Sequence, residues 1–184
     1  MLDATNQSDP LRELANKNSM SAEEALKFFD VLPIVNIDTI IGTWRGSGLA
    51  TGHPLDGTLE ALGWYGKEFI DRDHVHPLLF SDNKGALFSL DPKRVSINLA
   101  LKVPMLRNKL ARQALLAARF VLQTHKSKAR VRMLEYRGKV SATMIYDDLP
   151  ICDMFRLIDH DTLLGVMDLK GMEQPFFFKL HRDK

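Results

Sequence analysis

Gly42-Thr43-Trp44-Arg45-Gly46-Ser47-Gly48 is the stretch whose reading decides the fold. In a strand, Gly42, Trp44, Gly46 and Gly48 share one face, because side chains alternate at a period of two. A strand face left bare at three positions is costly unless something bulky packs on the exposed backbone. The end of a closed barrel, a neighbouring strand crossing close by, or a bound ligand would each serve. Trp44 as a plug of the barrel is the packing reading. Room for a ligand beside the glycines is the functional one.

Outward from this strand the chain keeps a β rhythm. Thr51-Gly52-His53-Pro54-Leu55-Asp56-Gly57 is dense in turn formers, and Leu59 to Trp64 suits either a helical turn or a distorted strand. Short alternating runs follow at Lys67–Asp71, His76–Ser81 and Ala86–Leu90, the last two joined by the hairpin signal Asp82-Asn83-Lys84-Gly85. Five more runs lie at 129–136, 139–147, 151–158, 162–169 and 175–182. Their connectors are two to five residues rich in turn formers, which force antiparallel neighbours and hence a meander. The total of about eight to ten strands in 184 residues closes most economically as a barrel. The expected fold is mainly β: a closed antiparallel barrel with an N-terminal helix and one long basic helix inserted mid-chain.

The N-terminal helix is signalled by Ser21 and Glu24, a capping box, with Ala25, Phe28, Phe29 and Leu32 on one side before Pro33. Its position before the Gly-rich strand suggests a lid over the barrel end. The second helix runs from Met105 to Gln123, where Leu106, Leu110, Ala114, Ala117 and Val121 recur at helical spacing after Pro104. The expected organisation is a loosely held leader over 1–20 and one domain over 21–184. That domain divides into a first half at 21–91, a basic helical insertion at 92–128 and the meander at 129–184.

A formal net charge of +2 conceals an asymmetry. From Pro92 to Leu134 there are eleven Lys or Arg and no Asp or Glu. Such a tract can rest on an anionic membrane through residues 102–132, draw an anionic ligand to the barrel mouth, or pack on the barrel with its charges solvated. Nucleic acid is disfavoured, since the tract lacks interleaved aromatic residues. The single Cys152 excludes an intrachain disulfide and fits a reducing compartment. No apolar stretch is long enough to span a bilayer, and Met1 to Met20 is too polar for a secretory signal, so a cytoplasmic protein is expected.

Gly42-x-Trp44-x-Gly46, with Leu49-x-Thr51-Gly52-His53-Pro54-Leu55-Asp56-Gly57 and Leu62-Gly63-Trp64-Tyr65-Gly66-Lys67, resembles the GXWXG family of bacterial proteins. The customary C-terminal partner segment of that family, itself of unknown function, is matched by Glu135-Tyr136-Arg137-Gly138, Met144-Ile145-Tyr146-Asp147, Asp161-Thr162-Leu163-Leu164-Gly165 and Pro175-Phe176-Phe177-Phe178. The resemblance covers residue 25 to the end and implies no catalytic residue. More loosely, Gly42-x-Trp44-x-Gly46-x-Gly48 is similar to the opening strand of calycin-like barrels: lipocalins, fatty-acid-binding proteins and haem-binding nitrobindins. That similarity implies a hollow barrel, although the nitrobindin histidine has no clear counterpart here.

The chemistry-bearing residues fall into three groups. His53, in the turn-rich loop, and His76, on a strand, are the histidines suited to a haem; each also has an ordinary reading as a hydrogen-bonded structural residue. Tyr146, Asp153 and Arg156 interrupt apolar strands, and a buried carboxylate needs a partner, since an unpaired interior charge costs about 3–5 kcal/mol. On 151–158 the alternation sets Asp153 with Phe155 on one face and Arg156 on the other, so one of them points inward or lies under a helix. An interior Asp–Arg pair would grip a ligand's polar head or serve as a structural ion pair. Trp44, Trp64, Tyr65, Phe155, Phe176 and Phe178 line or fill the interior. No Ser-His-Asp order, phosphate-binding loop or His-Glu-x-x-His occurs, so an enzyme using a His–carboxylate pair has no positive signature. The sequence thus points first to a carrier of a small hydrophobic or amphipathic ligand, an acyl chain or aromatic compound, with no cofactor. A haem protein is the alternative.

Overall fold

The meander is the backbone of the architecture. In the computed structural model, which describes residues 14–95 and 108–184, it comprises β5 (Ala129–Tyr136), β6 (Lys139–Tyr146), β7 (Ile151–Asp159), β8 (Thr162–Leu169) and β9 (Phe176–Arg182). The first half supplies β1 (Gly42–Gly48), β2 (Trp64–Phe69), β3 (Val75–Ser81) and the short β4 (Leu87–Ser89). β1 pairs β9 on one side and β2 on the other, β2 pairs β3, and β3 meets β5 at Val75↔Ala129. The sheet is therefore shut into a closed antiparallel barrel of eight strands, with β4 folded back on β3 as a hairpin. The hairpin turn forms as its residues dictate: Gly85 N–H donates to Asp82 O, and the Asp82 carboxylate accepts from Lys84 N and Ala86 N.

Register fixes which residues meet inside. Phe155, Gly165 and Phe178 stand side by side across β7, β8 and β9, and one step along come Asp153, Met167 and Phe176. The outward positions of the same strands, Met154, Leu164, Val166 and Phe177, are also apolar and buried. Helix α1 (Ala22–Val31) covers them with Ala25, Phe28 and Phe29, capped by Ser21 and Glu24 as the sequence requires. The helix lies on the barrel wall, not over its end. A meander apolar on both faces needs cover outside as well as inside, and this demand sets the position of the helix. Arg156 is trapped beneath it, 4.6 Å from the Phe29 ring and donating to Tyr136 O at 3.0 Å.

One end of the barrel is plugged. Trp44 is fully buried, its indole N–H donates to Ile40 O at 2.7 Å, and the Arg182 guanidinium stacks on it at 4.2 Å. The short helix α2 (Ile37–Ile40) closes over this end with Val35, Ile37 and Ile40 joined to the core. The opposite end carries α3 (Thr58–Leu62) and, from the basic insertion, α4 (Lys109–Ala117) and α5 (Arg119–Leu122). The single helix expected from Met105 to Gln123 is two pieces that part at Ala118, and residues 105–107 lie outside the described ones. Leu59 to Trp64 resolves into α3 followed by the first residue of β2. In the leader, the described part is tied down: Met20 N–H donates to Ala50 O, and Ala50 N–H to Asn18 O, both at 3.0 Å.

Candidate ligand cavity at the open end of the barrel

The glycines of β1 are filled by this chain's own side chains. A Cβ on Gly46 would overlap the Trp64 ring, and one on Gly48 would overlap the Glu60 carboxylate, which accepts from Gly48 N–H. The bare strand face seats the Trp64 indole, and the far side of that indole lines a cavity. β2 makes this possible by departing from regular alternation: its pairing with β3 shifts register between Trp64 and Gly66 and again between Gly66 and Glu68. Gly66, at φ +150°, sits where a Cβ would strike the Trp44 carbonyl oxygen. The irregularity brings both Trp64 and Lys67 to the inner surface, three residues apart.

The cavity is about 100 Å³, two-thirds of the roughly 150 Å³ of an engineered apolar cavity that binds benzene. Its walls come from the barrel (Trp64, Leu78, Phe80, Met167, Phe176, Phe178). Its cover comes from α3 (Thr58, Leu59, Leu62), from Leu115 of α4, and from Leu90, Pro92, Val95 and Leu149. Against this apolar lining stand four polar side chains: Thr58, Lys67, Asp153 and Tyr146. Lys67 Nζ lies 2.8 Å from Asp153 Oδ2, with the two side chains 3% and 1% exposed, and it also donates to Pro77 O at 3.2 Å. The Trp64, Tyr146 and Phe178 ring centroids surround Nζ at 5.8, 5.8 and 5.0 Å. Two buried polar atoms of the lining residues, Asp153 Oδ1 and Trp64 Nε1, have no hydrogen-bond partner among the described residues.

The electrostatics follow from burial. Burial pushes the Asp153 carboxyl above its ordinary range, with the Lys67 ammonium pulling it back. The Tyr146 phenol is pushed well above its usual value by burial first and by Asp153 second, so it is a hydrogen-bond donor at neutral pH.

Of the residues singled out in the sequence, Trp64, Tyr146, Asp153, Phe176 and Phe178 meet in the cavity. Phe155 is the layer behind them, its ring 6.2 Å from Phe178 and 5.7 Å from Phe69. Trp44 belongs to the plugged end. Tyr65 is on the outside, its hydroxyl donating to Asp183 and its ring under Arg45. His53 is buried as a structural staple. Its Nδ1 accepts from Leu55 N at 3.0 Å, its Nε2 lies 3.0 Å from Met172 Sδ, and its ring is tilted on Phe176. His76 is on β3 in a groove with Glu68, Gln123 and His125. Neither the His53 nor the His76 imidazole bonds a carboxylate among the described residues (the His53 backbone N–H donates to Asp56 Oδ2), and no group of three metal-ligating side chains is found among them. The Asp–Arg pair expected on β7 is replaced by Asp153–Lys67, because Arg156 faces α1. Lys67 was the residue missed. Its signal was parity with Phe69, two positions on, an unambiguous core residue.

The basic tract is extensively neutralised by acids from elsewhere in the chain. Arg119 pairs with Asp82, Lys128 with Asp91 and Asp148, Arg130 with Asp147, and Arg132 with Asp73. Among the described residues, no helix is long and apolar enough to cross a membrane.

Comparison with known proteins agrees with this architecture. Residues 27–85, from α1 to the β3–β4 turn, match the GXWXG protein family, and residues 127–182, the whole meander, match the domain of unknown function DUF4334. A search of curated proteins returns no match. The crystal structure of a protein from Thermomonospora curvata is 33% identical over 95% of this chain and 97% of that one, with a TM-score of 0.70. A β1 glycine–tryptophan strand that seats Trp64, joined to a DUF4334 meander that closes the barrel, places the chain in the GXWXG family.

Proposed function

We propose that the protein binds a small apolar molecule carrying one polar group, held in the cavity between β2, β3, β6–β9 and the α3–α4 cover. The observation that carries this reading is the buried Lys67–Asp153 pair facing an otherwise apolar space. A barrel built only for stability would fill that space with hydrocarbon, because buried ion pairs contribute little beyond what apolar residues of like volume give. The size favours an aromatic or short-chain compound over a long acyl chain. Lys67 and Tyr146 would donate to the polar group while Trp64, Phe176 and Phe178 flank the apolar body.

The cover would serve as portal. Leu110, Phe120 and Val121 on α4 and α5 are exposed, Phe120 almost fully, and would meet an anionic membrane surface with Lys109 beside them. Flotation with phosphatidylserine vesicles, compared between wild type and Phe120→Glu, checks that part.

Titration with benzyl alcohol, followed by tryptophan fluorescence and thermal unfolding, tests the ligand reading. Saturable change in emission with a concentration-dependent rise in Tm is expected. Absence of both overturns it.

A further inference from the structure

We propose that Lys67 is a covalent amine: its Nζ condenses with the carbonyl carbon of a small apolar aldehyde or ketone in the cavity to form an imine. This rests on the reading of the cavity as a ligand site and names the ligand class.

An ammonium has three N–H donors, and among the described residues two acceptors meet this one, Asp153 Oδ2 and Pro77 O. The remaining side of Nζ faces the Trp64, Tyr146 and Phe178 rings and the cavity they line. A lysine amine in desolvated, apolar surroundings is the usual amine nucleophile toward carbonyl compounds. It must first give up a proton, and the acceptor is in place. Asp153 lies at hydrogen-bond distance, keeps a second oxygen with no partner among the described residues, and is held by burial above the ordinary carboxylate range.

The step balances without an oxidant or reductant. Asp153 takes one ammonium proton; the freed lone pair on Nζ forms the C–N bond, and the carbonyl π pair moves onto oxygen. Tyr146, whose hydroxyl burial holds protonated, donates to that oxygen as it gains charge. A second proton passes from nitrogen to that oxygen, giving the carbinolamine; its C–O bond breaks as Asp153 returns the first proton, and oxygen departs as water. The sum is ammonium plus carbonyl giving protonated imine plus water, with Asp153 again a carboxylate beside the iminium nitrogen. Trp64 Nε1–H, buried and without a partner among the described residues, is another donor in the lining.

The test uses the full chain, benzaldehyde and cyanoborohydride, which reduces the imine to a stable benzylamine that mass spectrometry locates. The expected result is one benzyl group on the peptide containing Lys67, formed at least tenfold faster than at the exposed Lys27 or Lys93, and slowed by benzyl alcohol. Lys67→Arg, which keeps the positive charge beside Asp153, loses that adduct. Labelling spread over exposed lysines with Lys67 untouched overturns the proposal. If benzyl alcohol still binds in that case, only the covalent step falls; if it does not, the ligand reading falls with it. The peptide map of the unaltered protein decides the matter even if the variant fails to fold.

Discussion

Lys67 on β2 and Asp153 on β7 meet across the barrel interior at 2.8 Å, although neither belongs to a strand that pairs with the other's. Each is the main answer to the other's burial. Lys67→Met should therefore lower unfolding free energy by about 3–5 kcal/mol, since it leaves the Asp153 charge alone in the interior. The double variant Lys67→Met/Asp153→Leu should recover most of that loss. Urea denaturation of the three proteins measures it, and a single variant as destabilised as the double would contradict the pairing.

Gly66 permits the turn of β2 that aims Lys67 inward. A Cβ there meets the Trp44 carbonyl oxygen and lies 2.8 Å from Gly46 N, both backbone atoms that cannot step aside. Gly66→Ala should cost upwards of about 2 kcal/mol. Gly85→Ala, at φ +82° in the hairpin with open space around it, should cost only about 1 kcal/mol. Equal midpoints for the two variants in denaturant would remove Gly66 from its structural role.

The contrast between these residues explains how much of the molecule was legible in its sequence. The meander strands are readable nearly to the residue, because short turns such as Arg137-Gly138 leave the chain no alternative to antiparallel pairing. Asp153 and Arg156 could be placed on opposite faces of β7 by period-two counting. Counting on from Trp64 puts Lys67 on the opposite face, since two register shifts in β2 break the period just where the site forms; only its parity with Phe69 gives its inward direction. His53 was overweighted for a related reason. A histidine among turn formers suggests a ligand, yet its ring is used to accept a backbone N–H and to pack on Phe176. Helix α1 was readable as a helix but not as a wall cover, because its address depends on the outward apolar residues of β7–β9 rather than on its own sequence.

His53 should leave a mark on the pH dependence of stability. Burial lowers its pKa below 6.5, with Asp56 opposing weakly. The unfolded chain then binds the proton more readily than the folded one, so stability is full above about pH 6.5 and falls as pH drops toward the folded value. His53→Asn keeps an acceptor for Leu55 N–H but cannot titrate. The difference in unfolding free energy between wild type and variant should change with pH in that window, by at most ~1.4 kcal/mol per unit, and be flat above it. A flat difference throughout would mean that the buried ring is not neutral in the fold.

Leu115 tests the cavity from its cover. It reaches the space from α4, half-buried, at the edge rather than in a barrel layer. Leu115→Trp adds an indole's volume where the void is, without disturbing a strand pairing. Because the added bulk enters empty space, the variant should keep wild-type stability to within about 1.5 kcal/mol and lose benzyl alcohol binding at least tenfold. Leu115→Ala should do the reverse, widening the space and admitting larger aromatic alcohols. Both follow from the walls being fixed by the barrel while the cover is a short helix packed on α3. Calorimetric titration of the two variants reads the outcome, and unchanged affinity in Leu115→Trp would place the ligand somewhere other than this cavity.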